Sequence, residues 1–161
     1  MSLLFISGTA GTSASSTSQD TLKSVTLPLN TFTRGTLLRV TAMGVYGTTG
    51  TPTLRMRMNW GATTLLDSGV LTMPTTITNL GWSLSALFIC MTTGSTGTVE
   101  AQGVWPHETG AAETPLYTTL QNTATVTIDT TVENILALTA TWGTNNAANT
   151  ISCRQFIVER L

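Results

Sequence analysis

The single histidine, His107, sits in "VWPHETGAAETP", with Glu108 and Glu113 close behind it. A histidine beside carboxylates is a starting set for acid–base work or for holding a metal ion. No second histidine exists and no cysteine adjoins it, so the spacing of a metal site is missing. His107 is expected to be an exposed loop histidine. A Ser-His-Asp triad has nothing to locate it, because no G-x-S-x-G occurs. Cys90 and Cys153 lie amid apolar residues with no C-x-x-C. They are expected as reduced core thiols, although an even number leaves one disulfide open. The glycines at 47–50 and 94–97 are not followed by Lys-Ser/Thr and so mark turns. No cofactor and no metal is implied, and the chain is not expected to be an enzyme. A cupin-like lyase or epimerase would need a histidine cluster that one histidine cannot supply.

The arginines are the other chemical feature. In "TLRMRMNWGATTLLDSG", Leu54, Met56, Met58 and Trp60 alternate with Arg55, Arg57 and Asn59. The ordinary reading of Arg55 and Arg57, with Arg39 on an adjacent strand, is the wet face of a half-buried strand. The functional alternative is a docking face, whose planar guanidinium forks bind carboxylates of a partner. Seven Lys and Arg against eight Asp and Glu leave a net charge of −1, and only 9% of residues are charged. Binding to phosphate backbones or anionic membranes needs more basic residues than this. Neither nucleic acid nor membrane is an expected partner.

These residues must be positioned by strands. Thr, β-branched and suited to a pleated surface, is about one residue in five. No window of a dozen residues keeps a helical period. Residues 132–140, "VENILALTA", come nearest, and their length favours a strand. Strands are expected at 21–29, 36–46, 53–60, 63–67, 70–73, 80–93, 98–105, 123–130, 135–142 and 150–161. Residues 106–115 read as a loop and 116–119 are ambiguous. Strands this short and this regularly spaced predict an all-β, antiparallel two-sheet β-sandwich, jelly-roll-like in its strand count. At 161 residues the chain suits one such domain, at 21–161. Residues 1–20 read as a flexible N-terminal arm, a short extended segment from Leu3 to Ile6 followed by a loop at 7–20 rich in Ser, Thr and Gly. Leu3 to Ile6 is too short for a secretory signal, so synthesis in a cytoplasm is expected.

One strand carries a surplus. In "LGWSLSALFICMTT", Trp82, Leu84, Ala86, Phe88 and Cys90 form one face, while Ser83, Ser85, Leu87, Ile89 and Met91 form the other. An outer sandwich face normally meets water. Apolar Leu87, Ile89 and Met91 there call for a cover, either the chain's own arm or another subunit. The subunit is the expectation, which makes these three the candidate oligomer interface. Met43, Met56, Met58 and Met73 add adaptable apolar surface or fill the core.

The stretches "GTLLRVTAMGVYGTTGTPTLRMRMNWGATTLLDSG", "GWSLSALFICMTTGSTGTVEAQG" and "VTIDTTVENILALTATWGTNNAANTISCRQFIVERL" resemble a type of small bacteriophage virion protein. The likeness covers most of 35–161 and lies in hairpins and a closing strand, not in a catalytic signature. It departs from the commoner pattern in the apolar outer face at 87–91. The resemblance implies a jelly-roll sandwich, often a homotrimer, on the virion exterior. The leading expectation is therefore a capsid decoration or cement protein that binds the assembled shell, with the major capsid protein as partner. The alternative is a tail, fibre or baseplate module that binds a host glycan or protein. There Trp60, Trp105 and Trp142 would offer stacking faces, although the rim of the core is their plainer place. A coat protein of a small RNA virus fits poorly, since the arm has no basic residue before Lys23.

Overall fold

The computed structural model describes residues 2–14, 16–110, 115–122 and 124–161. Every element among them is a strand: β1 (Ser2–Ser7), β2 (Gly11–Ala14), β3 (Asp20–Leu27), β4 (Leu37–Thr48), β5 (Thr53–Trp60), β6 (Thr63–Asp67), β7 (Leu71–Thr72), β8 (Ile77–Thr92), β9 (Gly97–His107), β10 (Leu116–Gln121), β11 (Val126–Ile128), β12 (Asn134–Trp142) and β13 (Thr150–Arg160). Period-two alternation explains them. Leu38, Val40 and Ala42 of β4 are buried, and so are Leu84, Ala86 and Phe88 of β8, while their sequence neighbours are not. The expected face of Leu54, Met56, Met58 and Trp60 is likewise buried.

The strands form two antiparallel sheets. The large one runs β1-β13-β4-β8-β9-β10, with β2 also on β13 and β11 also on β9. The small one runs β3-β12-β5-β6, with β7 also on β5. Let β1 and β2 count as one interrupted strand, and β6 and β7 as another. With the insertion β9–β11 set aside, eight strands remain. The first pairs with the last, β3 with β12, β4 with β8, and β5 with β6. Successive pairs alternate between the sheets. This is one long hairpin rolled up, the connectivity of a jelly roll. The insertion extends the large sheet past β8, so β8 lies in its interior.

The core fills the space between the sheets. It is aromatic-rich, with Trp105, Trp142, Phe88 and Phe156 from several strands fully buried. Each such side chain contributes on the order of 1.5–3 kcal/mol of burial free energy. Two glycines are fixed by geometry. Gly61, at φ 56, opens the two-residue turn joining β5 to β6, where glycine adopts a positive φ without strain. Gly44 faces a bulge of β13 between Cys153 and Gln155. A Cβ there would lie 1.7 Å from the Ser152 carbonyl oxygen and 2.9 Å from the Trp82 ring.

Three expectations change. The segment 1–20, read as a flexible arm, is largely strand. Ser2–Ser7 pairs with the C-terminal half of β13, and Gly11–Ala14 pairs with its N-terminal half. Leu4 and Phe5 pack on the core, Phe5 edge-on to Phe156 with ring centroids 6.1 Å apart. The low complexity of this stretch hid the open edge of β13, which supplies its hydrogen bonds. The expected loop at 106–115 starts late, because β9 continues to His107. The ambiguous 116–119 lies in β10. Of the strand expected at 123–130, residues 126–128 form β11; Thr123 lies outside the described residues, as does Glu113.

Candidate docking face

The two sheets present opposite outer surfaces. On the small sheet the surface, Ile135 apart, is polar and tied together. The Asp67 carboxylate accepts hydrogen bonds from Arg55, with Nε at 2.8 Å from Oδ1, and from Arg57 Nε at 3.3 Å from Oδ2. Arg55 adds a second, ion-paired bond through its terminal nitrogen. Asp67 also accepts from the Gly69 backbone N–H at 2.9 Å. Arg57 continues across the sheet, donating to Gln19 at 2.8 Å and to Thr141 at 3.4 Å. Gln19 in turn donates to Thr139 at 3.0 Å. Burial works to raise the pKa of Asp67, but the bonds from Arg55 and Gly69, with the charges of Arg55 and Arg57, hold it below the usual value. Arg55 and Arg57 are thus engaged by this chain's own side chains.

Arg39 does not join them. It lies on β4 in the other sheet, where it pairs with Glu159 of β13 at 2.7 Å. Hence the docking face expected from Arg39, Arg55 and Arg57 together is not one face. Strand adjacency in sequence hid the fact that β4 and β5 belong to different sheets.

The large sheet's outer surface is apolar at its centre. Register places Leu37 of β4, Ile89 of β8 and Glu100 of β9 in one row, and Arg39, Leu87 and Gln102 in the next. Leu87 is 43% exposed, Ile89 37% and Met91 40%. Val104, level with Ser85, adds to the patch one row beyond Leu87 on the β9 side, while Met43 lies apart from it, level with Ser83. The chain's own arm does not cover it, because β1 and β2 lie at the sheet edge beyond β13. At the β9 side, Asn122, Ala124 and Thr125 raise a wall, which turns the face into a trough of about 640 Å³ floored by Leu37, Leu87 and Ile89. Asn122 is fixed there, accepting from the Ala101 N–H at 3.0 Å and donating to the Val99 carbonyl at 3.4 Å.

The remaining chemical residues are inside. His107 is 3% exposed, a correction to the expected loop histidine. Its ring lies 4.6 Å from that of Trp105 and 6.1 Å from that of Tyr46. Its Nδ1 is buried without a hydrogen bond among the described residues. Burial pushes the imidazole below its ordinary pKa, against a smaller opposite pull from the Trp105 backbone. Glu108 does not approach as a catalytic partner. Its carboxylate accepts from the Gly81 N–H at 3.1 Å, and its carbonyl accepts from the Tyr46 hydroxyl. Burial first, and the Glu108 charge second, push Tyr46 up to about 12. Among the described residues no three of His, Cys, Asp and Glu gather as a metal site.

Cys90 and Cys153 are both free and buried. Cys153 is level with Gly44 and Trp82, and Cys90 lies eight residues farther along β8. That is about 26 Å along the strand, far beyond disulfide reach. Burial raises both thiols, Cys153 to about 11. Trp60, Trp105 and Trp142 are core residues, so none offers a stacking face to solvent. Tyr117 on β10 is the exposed aromatic ring, at 70%.

No protein-family model matches the sequence, and no curated protein matches it. Among solved structures it is similar to the CBM2 module of Lactobacillus casei BL23 phage J-1 evolved Dit. The TM-score is 0.37 and the identity 11%, over 84% of this chain and 66% of that one. The chain therefore spans just under two thirds of that structure, and the likeness adds nothing to the connectivity described above.

Proposed function

We propose that this chain is a bacteriophage virion module that works by binding and not by catalysis. The contrast between its two outer faces carries the reading. The small sheet closes its surface with an Arg–Asp–Gln–Thr network, while the large sheet leaves Leu87, Ile89 and Met91 open in its centre. A contiguous apolar patch on an otherwise polar β protein is a docking surface. The sheet edges are poorer candidates. Each edge of the large sheet is divided between two short strands, β1 and β2 on one side and β10 and β11 on the other, and broken edges discourage strand addition.

As a decoration protein, such a module binds the assembled shell and stabilises it by mass action. The second reading places it on the tail, fibre or baseplate. Exposed Tyr117 is the observation in its favour, as a ring that could stack on a host sugar. Immunogold labelling of virions of the encoding phage, with antibody to this chain, separates the two. Gold over the head supports decoration, and gold over the tail supports the second reading. Virions that lack the chain by mass spectrometry sink the proposal.

A further inference from the structure

The end of β9 is clasped through Glu108, the residue after His107. The Glu108 N–H donates to the Gly81 carbonyl at 3.0 Å. Its carboxylate accepts from the Gly81 N–H at 3.1 Å, and its carbonyl accepts from the Tyr46 hydroxyl. These bonds tie β9 to the start of β8 and to β4. We propose that His107 is a proton-operated latch for this clasp: an imidazolium leaves the core, and its exit releases Glu108 and opens the adjoining ends of β8 and β9.

The ring has no neighbour that balances a positive charge. Trp105 of β9 lies 4.6 Å from it, and the Tyr46 ring of β4 meets it edge-on at 6.1 Å. Register sets Trp82 of β8 and Leu116 of β10 beside it. The same row continues through Gly44 to Cys153 of β13, whose thiol burial keeps neutral. Across the core the small sheet offers apolar side chains, among them Leu54, Met56, Leu138 and Trp142. Tyr46 is thus the ionisable group in contact with the ring among the described residues, and its phenol is neutral up to about 12. The Glu108 carboxylate is outside, with Gly81. Protonation makes both ring nitrogens donors, while Nδ1 has no partner. It therefore adds a buried charge and a buried unpaired N–H together, and both are unfavourable.

The way out is short. His107 is the last residue of β9, and Glu108 is already exposed. The β8–β9 ladder begins at the pair Trp82–His107, so the clasp is its outermost fastening. The facing stretch is strained. Thr76 and Asn79 hold φ 47 and 54, left-handed values that are least favourable for a β-branched residue. Release of Gly81 lets that stretch relax. The ladders of β13 on β4, and of β12 on β3 and β5, do not involve the clasp, so the opening is local. Acid thereby turns a closed end of the sandwich into a surface that shows Trp82 and Trp105.

Hydrogen exchange read by mass spectrometry on the full chain tests the latch, with His107→Phe as the reference that keeps a ring and removes the proton. At pH 5, peptides covering 77–82 and 103–108 should exchange about tenfold faster or more in the native chain than in the variant. Peptides of β12 and β13 should exchange alike in both chains, and at pH 7.5 the two chains should agree throughout. Comparison at equal pH cancels the intrinsic dependence of exchange on acid. Should His107→Phe fail to fold, the native chain decides alone. Acrylamide quenching of its tryptophan fluorescence should rise between pH 7.5 and 5 at constant far-ultraviolet circular dichroism, and reverse on return. Equal exchange in the two chains at pH 5 would overturn the latch. So would acceleration spread evenly over all strands, which is global unfolding, or quenching that stays constant with pH.

Discussion

Asp67 and His107 show how this chain uses its few ionisable groups. Asp67 gathers two arginines and a backbone N–H on the small sheet's surface. Its folded pKa is depressed, so its contribution is present above the unfolded value near 3.8 and is lost as pH falls through the folded one. His107 acts at higher pH. Its folded pKa lies below 6.5, so between those values the unfolded chain binds more protons than the folded one. Stability should therefore be full above about pH 6.5 and decline below it, by at most about 1.4 kcal/mol per pH unit for one proton. Urea melts between pH 7 and 5 measure this slope. His107→Phe should flatten it, and an unchanged slope would show that another group titrates there. Tyr46 gives the alkaline counterpart. Its phenol stays protonated to about 12 against an ordinary 10, so stability should fall as pH rises across that interval. The sequence displayed the histidine and Glu108 beside it but not their separation into a buried ring and a surface bond. Burial at 107 follows from β9 running two residues farther than its alternation suggests, through Pro106.

Among the elements, β1 and β2 differ most from what the sequence suggests. They close the outer edge of β13 with hydrogen bonds along nearly its whole length. β1 also contributes Phe5, which lies against Phe156. Removal of residues 1–7 should expose that edge and lower stability by about 2–4 kcal/mol, in the range for loss of a partly buried aromatic and its neighbours. The truncated chain should aggregate faster, because an open strand edge templates pairing. Chemical denaturation and light scattering with time measure both effects. A truncated chain of full stability would mean that β1 is an ornament of the edge. The alternation of β4, β5, β8 and β12 was legible because each places large apolar side chains every second residue. β1 and β2 were not: β1 is apolar at every residue from 3 to 6 and so shows no alternation, and the small polar residues of β2 leave no period to read.

At the scale of the whole molecule, the roll joins the first strand to the last. Pairings this distant in sequence must pay loop-closure entropy before they gain contact energy, so folding is slow relative to helical proteins. Refolding from urea should take milliseconds to seconds. It should be unchanged by reducing agent, since Cys90 and Cys153 are too far apart to pair. Stopped-flow fluorescence of the buried tryptophans measures the rate, and a reductant-dependent phase would contradict the free thiols. The sequence by itself determined the strand class, the inward faces of the main strands and the apolar outer line at 87–91. Those features are local, because period-two alternation writes each face into neighbouring residues. The tertiary structure alone decided which strands share a sheet. That choice separated Arg39 from Arg55 and Arg57, and drew His107 and the tryptophans into the core. Sheet membership depends on pairings between residues up to the full chain length apart, and no local pattern encodes those.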